Sequence, residues 1–344
     1  MSSILFSSLF LNVFAFFNLL GIRKDLLQNQ IIYTLIGIGI FLLVRKLGIN
    51  FFRNNANFFY WLFIFLLITT FVIGIEVKGS RRWIDLYFFN FQPSEFFKIF
   101  FALFLADFFV KHRKDIDEFS TFLKSLGYLM LPLLIIFKQP DLGNAMVLVF
   151  IYTVVVLFSQ TPKKYVLYSF LVLFLIIPVG WLTLKDYQRN RITSFINPEV
   201  DQQGINYNMI QAVITVGSGK FFGRGLGYGT QSKLFFLPEN HTDFAFSSLV
   251  EQFGFFGGFF ILILYFVISI DLIRRLAVLL KSTDEDSLFR RLFMLGFFAY
   301  FVFQVFINIG MNLGLLPITG VALPLISYGG SSLVSFMLGL ALIL

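Results

Sequence analysis

Apolar residues in this chain come in long continuous runs and do not alternate with polar ones. Continuous runs specify helices that are apolar all round. The lack of a period of two argues against a membrane β-barrel. A helix needs about 17–25 apolar residues to cross a hydrocarbon core about 30 Å thick. Reading between charges and Pro or Gly breaks gives ten candidate spans: about 3–21, 29–44, 58–76, 94–110, 122–138, 142–160, 165–184, 243–270, 292–313 and 321–344. The pattern predicts an all-α polytopic membrane protein of about ten transmembrane helices, forming a single domain over 1–344. One connection, residues 185–242 between the seventh and eighth spans, is far longer than the rest, and long ordered loops tend to carry function. The N-terminus has no basic segment and no clear cleavage site, so the first span is expected to be retained.

Composition sharpens this reading. The chain is 58% hydrophobic and 13% charged, with a mean hydropathy of +0.83. A soluble domain of ordinary composition is about half apolar and a quarter charged, so a cytosolic enzyme, a disordered protein and a disulfide-stapled domain are all excluded. With no cysteine, thiolate chemistry and Cys-ligated metals are excluded too, and two histidines (His112 and His241) leave little room for a His-based metal site. The net charge of +8 would suggest nucleic acid in a soluble protein; in a membrane protein it follows from basic cytoplasmic loops.

One set of connections holds Arg45, Lys46, Arg53, Lys111, Arg113, Lys114, Lys124, Lys163, Lys164, Arg274, Arg275, Lys281, Arg290 and Arg291. The other holds Arg23, Lys24, Lys78, Arg81, Arg82, Lys98 and Lys138. Fourteen against seven makes the first set cytoplasmic, places both termini there and puts the long loop outside, although Arg23 and Lys24 count locally against this. Long loops are exempt from the count, so Arg189, Arg191, Lys220, Arg224 and Lys233 need another explanation, such as a phosphate-bearing substrate on the outer face.

Five polar motifs interrupt the apolar pattern. The glycine-rich run 217–229 fits neither a P-loop, since Phe221 follows Lys220, nor a dinucleotide fingerprint, which needs a strand before it and a helix after it. It reads as a series of tight turns or as backbone N–H groups approaching a diphosphate. In the second motif, Glu239-Asn-His-Thr-Asp243, Asn240 is placed to cap the eighth span with Asp243 three residues on. Spacing alone favours this capping role over catalysis. Glu251 lies two turns deeper and about 80° around the helix from Asp243, so the two could line one cavity without touching.

The third motif, RRWIDLYFFNFQPSEFFK, starts at Arg81. Pro93 suits a first helical turn, Glu95 and Lys98 can pair at i,i+3, and Trp83 can be an interfacial aromatic. These readings explain the residues singly but not why Arg81, Arg82, Glu95 and Lys98 gather at one surface. In the fourth, Lys138-Gln-Pro-Asp-Leu-Gly143, Asp141 reads as the N-cap of the sixth span. In the fifth, 308–332, Pro, Gly and the pair Ser331-Ser332 between two spans suggest a re-entrant turn buried in protein.

Taken in order on a ten-span chain, RWIDLYFFNFQPSE, QPDLGNA, GTQSKLFFLPENHTDF and GLLPITGVALPLISYGGSS resemble the SEDS family (shape, elongation, division and sporulation), of the RodA/FtsW/SpoVE type. The resemblance covers roughly residues 30–344. Asn197-Pro-Glu199, Tyr207-Asn208, Gly229-Thr-Gln231 and Gly310-Met-Asn312 look like the elongation branch. The family often carries two adjacent acids where this chain has Glu251-Gln252.

The resemblance implies a peptidoglycan glycosyltransferase of the bacterial cytoplasmic membrane. Such an enzyme polymerises lipid II, a disaccharide-pentapeptide on undecaprenyl diphosphate, at the outer leaflet for elongation and cell shape. It also implies a class B penicillin-binding transpeptidase as partner, contact with membrane lipids and no nucleic acid. The family implicates the Asp of its HTDF motif, Asp243 here, in catalysis. The donor's diphosphate is α-linked and the new bond is β, so a single inverting displacement needs one general base. Asp243 is the expected base, and partial burial is expected to raise its pKa towards that task. Arg81, Arg82, Lys98, Arg189, Arg191 and Lys233 are candidates to neutralise the leaving diphosphate, with Glu239, His241, Thr242, Glu251, Glu95, Trp83, Asp141, Ser331 and Ser332 in support. No dedicated cofactor or metal cage is expected; a divalent cation (Mg or Mn) could assist. The rival readings are a lipid II flippase, which would need polar groups reachable from both faces and an inverted repeat, and a non-catalytic scaffold that activates a transpeptidase.

Overall fold

A computed structural model of the chain describes residues 2–77, 80–86, 89–183, 189, 193, 195, 205–282 and 284–344. Of the residues named above, Lys78, Arg191 and Asn197-Pro-Glu199 lie outside the described residues. The chain is mostly helical: α1 (Ser2–Ile22), α2 (Lys24–Asn54), α3 (Ala56–Ile73), α4 (Pro93–Lys111), α5 (Phe119–Lys138), α6 (Leu142–Phe158) and α7 (Lys163–Thr183) are followed by α8 (Ile205–Ser218), α9 (Thr230–Lys233), α10 (Ala245–Leu279), α11 (Glu285–Asn312) and α12 (Gly330–Ile343). Among the described residues, six helices are long and apolar enough to cross a membrane (α1, α2, α3, α5, α10 and α11), and α6 and α12 are shorter apolar helices.

Several expectations are corrected. The chain is not purely helical: β1 (Ile75–Val77), β2 (Ser80–Asp85) and β3 (Asn90–Phe91) form an antiparallel sheet in the order β1-β2-β3. Its strands are too short for an alternating pattern to show in the sequence. The segment 185–242 is not a bare loop, because α8 and α9 lie within it. Arg45, Lys46 and Arg53 sit on α2, which continues past 44 with a break at Gly48, and Lys98 is a buried helix residue with no place in a loop count. The last helix begins at Gly330, not 321, because Pro324 and the glycines at 329–330 keep the preceding chain out of a helix.

The chain divides into two compact units. The first comprises Met1–Ile36, Leu184–Asp271 and Gln304–Leu333; the second comprises Gly37–Thr183, Leu272–Phe303 and Val334–Leu344. In the second, α4 is buried at every residue from Pro93 to Val110, as expected of a helix apolar all round. Its aromatic rings stack on α3, with Phe104 against Tyr60 at 4.3 Å and Phe100 against Phe59 at 4.7 Å. On another side α11 comes so close that a Cβ on Gly296 would lie 2.8 Å from that of Ala102, the small-residue contact by which apolar helices pack tightly.

In the first unit α10 is broken at Gly254 (φ 71°, ψ −170°). A broken helix leaves backbone groups unpaired, and these must find partners within the protein. The glycine-rich loop supplies them. Arg224 N and Gly225 N donate to Glu251 O and Gln252 O at 2.8 and 3.1 Å; Phe255 N and Phe256 N donate to Lys220 O and Phe221 O at 2.8 and 3.2 Å. Such close backbone approach excludes side chains, since a Cβ on Gly223 would lie 2.1 Å from Gln252 O. The glycine content therefore serves the helix break, in agreement with the tight-turn reading.

Candidate functional site

Asp243 lies two residues before α10, half-buried, in a turn whose backbone is fixed carbonyl by carbonyl. Asn240 O accepts from Ser248 Oγ (2.8 Å) and His241 O from Tyr328 N (2.8 Å). Thr242 O accepts from Ser327 Oγ (2.6 Å), and Asp243 O accepts from both Asn308 Nδ2 and Asn312 Nδ2 (3.0 Å each). Asn312 Oδ1 in turn accepts from Ser247 N (2.9 Å) and Ser247 Oγ (2.7 Å) in the first turn of α10, so one amide ties α11 to both sides of Asp243. Asn308 Nδ2 also donates to Val321 O at 2.7 Å. The Asp243 carboxylate faces the 313–329 segment: a Cβ on Gly320 would lie 3.6 Å from its Oδ2. That segment is non-helical, and residues 323–327 are buried, as the re-entrant reading anticipated.

Glu239 opens the turn with φ 52°, a left-handed conformation that costs a non-glycine residue about 1–3 kcal/mol and tends to be kept at functional sites. Its carbonyl accepts from Thr242 N (3.2 Å) and Phe244 N (3.1 Å), and its Oε2 accepts from Thr242 Oγ1 (2.9 Å). Asn240 does not cap α10. Its Nδ2 donates instead to Ser232 O at 2.6 Å, because α10 starts at Ala245, too far along for Asn240 to reach its free N–H groups.

Glu251 is fully buried, and its carboxylate is committed to the loop. Oε1 accepts from Gln231 N (2.9 Å) and Ser218 Oγ (3.3 Å), and Oε2 from Ser232 N (2.9 Å) and Ser232 Oγ (2.6 Å). It caps α9 from across the fold, an anion placed on free helix N–H groups. Gln252, where the family often has a second acid, needs its amide: Nε2 donates to Asn18 Oδ1 (2.6 Å) while Oε1 accepts from Gly227 N (3.2 Å). Lys233 is exposed, and its Nζ donates to Gly227 O at 2.8 Å. Ser331 and Ser332 are buried in the first turn of α12, and Arg189 is half-buried.

In the second unit the third and fourth motifs meet as one buried chain of charges. Lys98, with no exposed surface, donates from Nζ to Glu95 Oε1 (2.7 Å) and to Asn144 Oδ1 (2.8 Å), and lies 5.1 Å from the centre of the Tyr300 ring. Asn144 Nδ2 donates to Asp141 Oδ2 at 2.8 Å. Asp141 is the N-cap of α6, its Oδ1 accepting from Asn144 N at 3.3 Å, as the spacing predicted. Arg82 lies 3.7 Å from Asp141 and donates to the carbonyls of Gln139 and Pro140. Arg81 points elsewhere, to Glu76 at 3.2 Å on the surface, and Trp83 is half-buried on β2 opposite Ile75. The sequence reading assigns no structural role to Asn18, Asn144, Asn308, Asn312 or Gln252, yet each is a polar side chain inside or beside an apolar helix, which is the signal that would have assigned one.

Among the described residues, no three His, Cys, Asp or Glu gather as a metal-ligand set.

The sequence model of the FtsW/RodA/SpoVE family, described as cell cycle protein, matches residues 4–344. The peptidoglycan glycosyltransferase MrdB of Escherichia coli K12 is 34% identical over 324 residues, 93% of this chain and 85% of that protein. A probable peptidoglycan glycosyltransferase FtsW of Buchnera aphidicola is 33% identical over 318 residues, 92% of this chain and 89% of that protein. Among solved structures, a chain from a study of polymerization and crosslinking by a peptidoglycan synthase complex superposes with a TM-score of 0.80 at 29% identity, covering 99% of this chain and 95% of that one. The rod shape determining protein RodA of Thermus thermophilus superposes with a TM-score of 0.69 at 27% identity, covering 99% and 94%. With its motifs and its matches over nearly the whole length, this chain belongs to the FtsW/RodA/SpoVE (SEDS) family.

Proposed function

We propose that this chain is a peptidoglycan glycosyltransferase that polymerises lipid II by inverting displacement of undecaprenyl diphosphate, with Asp243 as general base on the acceptor hydroxyl. The observation that carries the reading is the turn at 240–243, whose four successive carbonyls each accept a hydrogen bond from a side chain or backbone group of α10, α11 or the 313–329 segment. A backbone held this firmly fixes where its carboxylate stands, and a fixed base contributes most when its geometry precedes the reaction. The strained Glu239 beside it supports the same reading.

Among the groups of the first unit, exposed Lys233 and Arg224 suit the developing charge of a leaving diphosphate. Lys98 suits it less, because its ammonium is buried against Glu95 and Asn144 and supports structure in the second unit. A divalent cation (Mg or Mn), if used, would arrive with the diphosphate oxygens, which are hard ligands suited to it.

In this reading α1–α7 and α10–α12 are the ten spans, 1–344 acts as one SEDS domain, and the basic α10–α11 turn and both termini face the cytoplasm. The partner is a class B penicillin-binding transpeptidase, as the synthase complex among the structural relatives suggests, and the elongation-type motif details favour a role in cell shape. The test is polymerisation of labelled lipid II by purified protein with its transpeptidase. Wild type should give glycan ladders. Asp243→Asn, matched for folding, should give none; full-length glycan at the normal rate from it would refute the base.

A further inference from the structure

We propose that the glycine-rich loop of the first unit is a membrane anchor, with Phe221 and Phe222 inserted among lipid acyl chains at the edge of the hydrocarbon. The proposal rests on α10 crossing the bilayer, as in the function proposed above. Phe222 is 84% exposed and Phe221 65%. They do not stand alone: Phe222 packs on Phe256 at 5.5 Å between ring centroids, and Phe221 on Phe255 at 6.3 Å. Phe255 and Phe256 are themselves exposed, and the apolar surface runs on along α10 through Phe259, Ile263 and Phe266. The loop thus extends the outward face of a helix long and apolar enough to cross a membrane, and a contiguous apolar surface of this kind marks contact with lipid or protein.

Position along α10 identifies the occupant. No residue from 252 to 270 is charged, between Glu251 and Asp271. At 1.5 Å per residue that stretch is about 28 Å long, against a hydrocarbon core about 30 Å thick, so none of it can be spared from the crossing. Phe256 then lies about 6 Å inside the edge, and Phe222 is one ring contact away from it. Non-helical backbone is tolerated at such a depth where its polar groups are paired within the protein. The hydrogen bonds between 220–225 and 251–256 do this, and Gly223 N adds one to Gly219 O at 2.8 Å. Lys220 (φ 49°) and Gly223 (φ 84°) are both left-handed and turn the chain on either side of the phenylalanine pair. Exposed Lys220 and Arg224 flank the pair, and long cationic side chains at this depth reach back to the headgroups. The anchor would hold Arg224 at headgroup level, where the diphosphate of a lipid-linked donor lies.

The chain has no cysteine, so a single introduced thiol carries a nitroxide spin label at one known place. Phe222→Cys and Phe221→Cys, both at exposed positions, are compared with Phe266→Cys as the lipid reference and Lys281→Cys as the aqueous one. Each full-length variant is reconstituted in phosphatidylcholine vesicles. Power saturation then measures collisions with oxygen, which concentrates in lipid, and with a nickel chelate, which stays in water. The labels at 221 and 222 should lose nickel accessibility and gain oxygen accessibility relative to 281, with a ratio between those at 281 and 266. A ratio no higher than that at 281 would put the loop in water and overturn the anchor, while a lipid reading at 266 would leave the span intact. Shielding from both reagents at 221 and 222 would mean that protein covers the patch, and would overturn it too. An aqueous reading at 266 would overturn the span and the anchor together.

Discussion

Replacing Glu251 by Gln tests whether this carboxylate holds the loop in place. The two side chains have nearly the same shape, so packing is preserved and only hydrogen bonding changes. The carboxylate accepts four bonds from the loop, two on each oxygen. A glutamine has one oxygen and one NH₂. Its better orientation places the oxygen at the Oε2 position, keeping Ser232 N and Ser232 Oγ as bonds to a neutral acceptor. The NH₂ then meets Gln231 N donor to donor, while Ser218 can rotate to accept. One buried bond to a charged group is lost, worth about 1.5–3 kcal/mol, and the two retained bonds weaken by about 0.5 kcal/mol or more each. The local cost comes to about 3 kcal/mol, or about 100-fold in the opening equilibrium of residues 218–233. Hydrogen exchange read by mass spectrometry on peptides from that segment measures this ratio directly. Exchange about two orders of magnitude faster there, with α4 unchanged, is the expected result. A change of less than about threefold would refute the assignment of Glu251 as the anchor of the loop.

Gln252→Glu should be destabilising by about 1–3 kcal/mol, because a carboxylate cannot donate to Asn18; a thermal shift in detergent measures it, and an unchanged midpoint would contradict the amide's role. Glu95→Gln should cost about 3–5 kcal/mol by leaving Lys98 buried without its counter-charge, whereas Glu95→Gln with Lys98→Met should recover most of that loss. Equal midpoints for the single and double variants would show that Lys98 does not depend on Glu95. Asp284 accepts from Ser287 N at 3.0 Å ahead of α11, and that bond holds its carboxyl below its ordinary value of 3.8. A depressed folded-state pKa stabilises the cap above the unfolded value and is lost as pH falls through the folded one. Exchange protection at the Ser287 amide should therefore be constant near neutrality and fall only below about pH 4, and protection that fell on raising the pH would reverse the sign.

Most of the helical architecture was legible because a bilayer demands long apolar runs, and a single run per helix survives single-sequence reading. Local chemistry was legible too: Asp141 caps α6, and Glu95 pairs with Lys98, because both depend on three-residue spacing. The sheet 75–91 was hidden by its short strands and clustered charges, and α9 by its four-residue length. At the site, the sequence exposed Asp243 through its motif but not what holds it. Asn308 and Asn312 lie 65 and 69 residues away along the chain, and their spacing of four says only that they share a helix face. Glu251 appeared available for chemistry because an acid within a span attracts that reading; its four partners come from the folding back of a glycine loop whose contacts depend on the break at Gly254. Long-range hydrogen bonds to backbone leave no local pattern, which is why Asn240 seemed a cap and is instead a link to Ser232.

The most direct test of the central claim is lipid II polymerisation by wild type and by Asp243→Asn, each with the transpeptidase and each matched for hydrogen exchange across 240–248. With the turn equally protected in both proteins, glycan ladders from wild type alone would meet the prediction. Ladders of equal length and rate from both would contradict the assignment of Asp243 as the base.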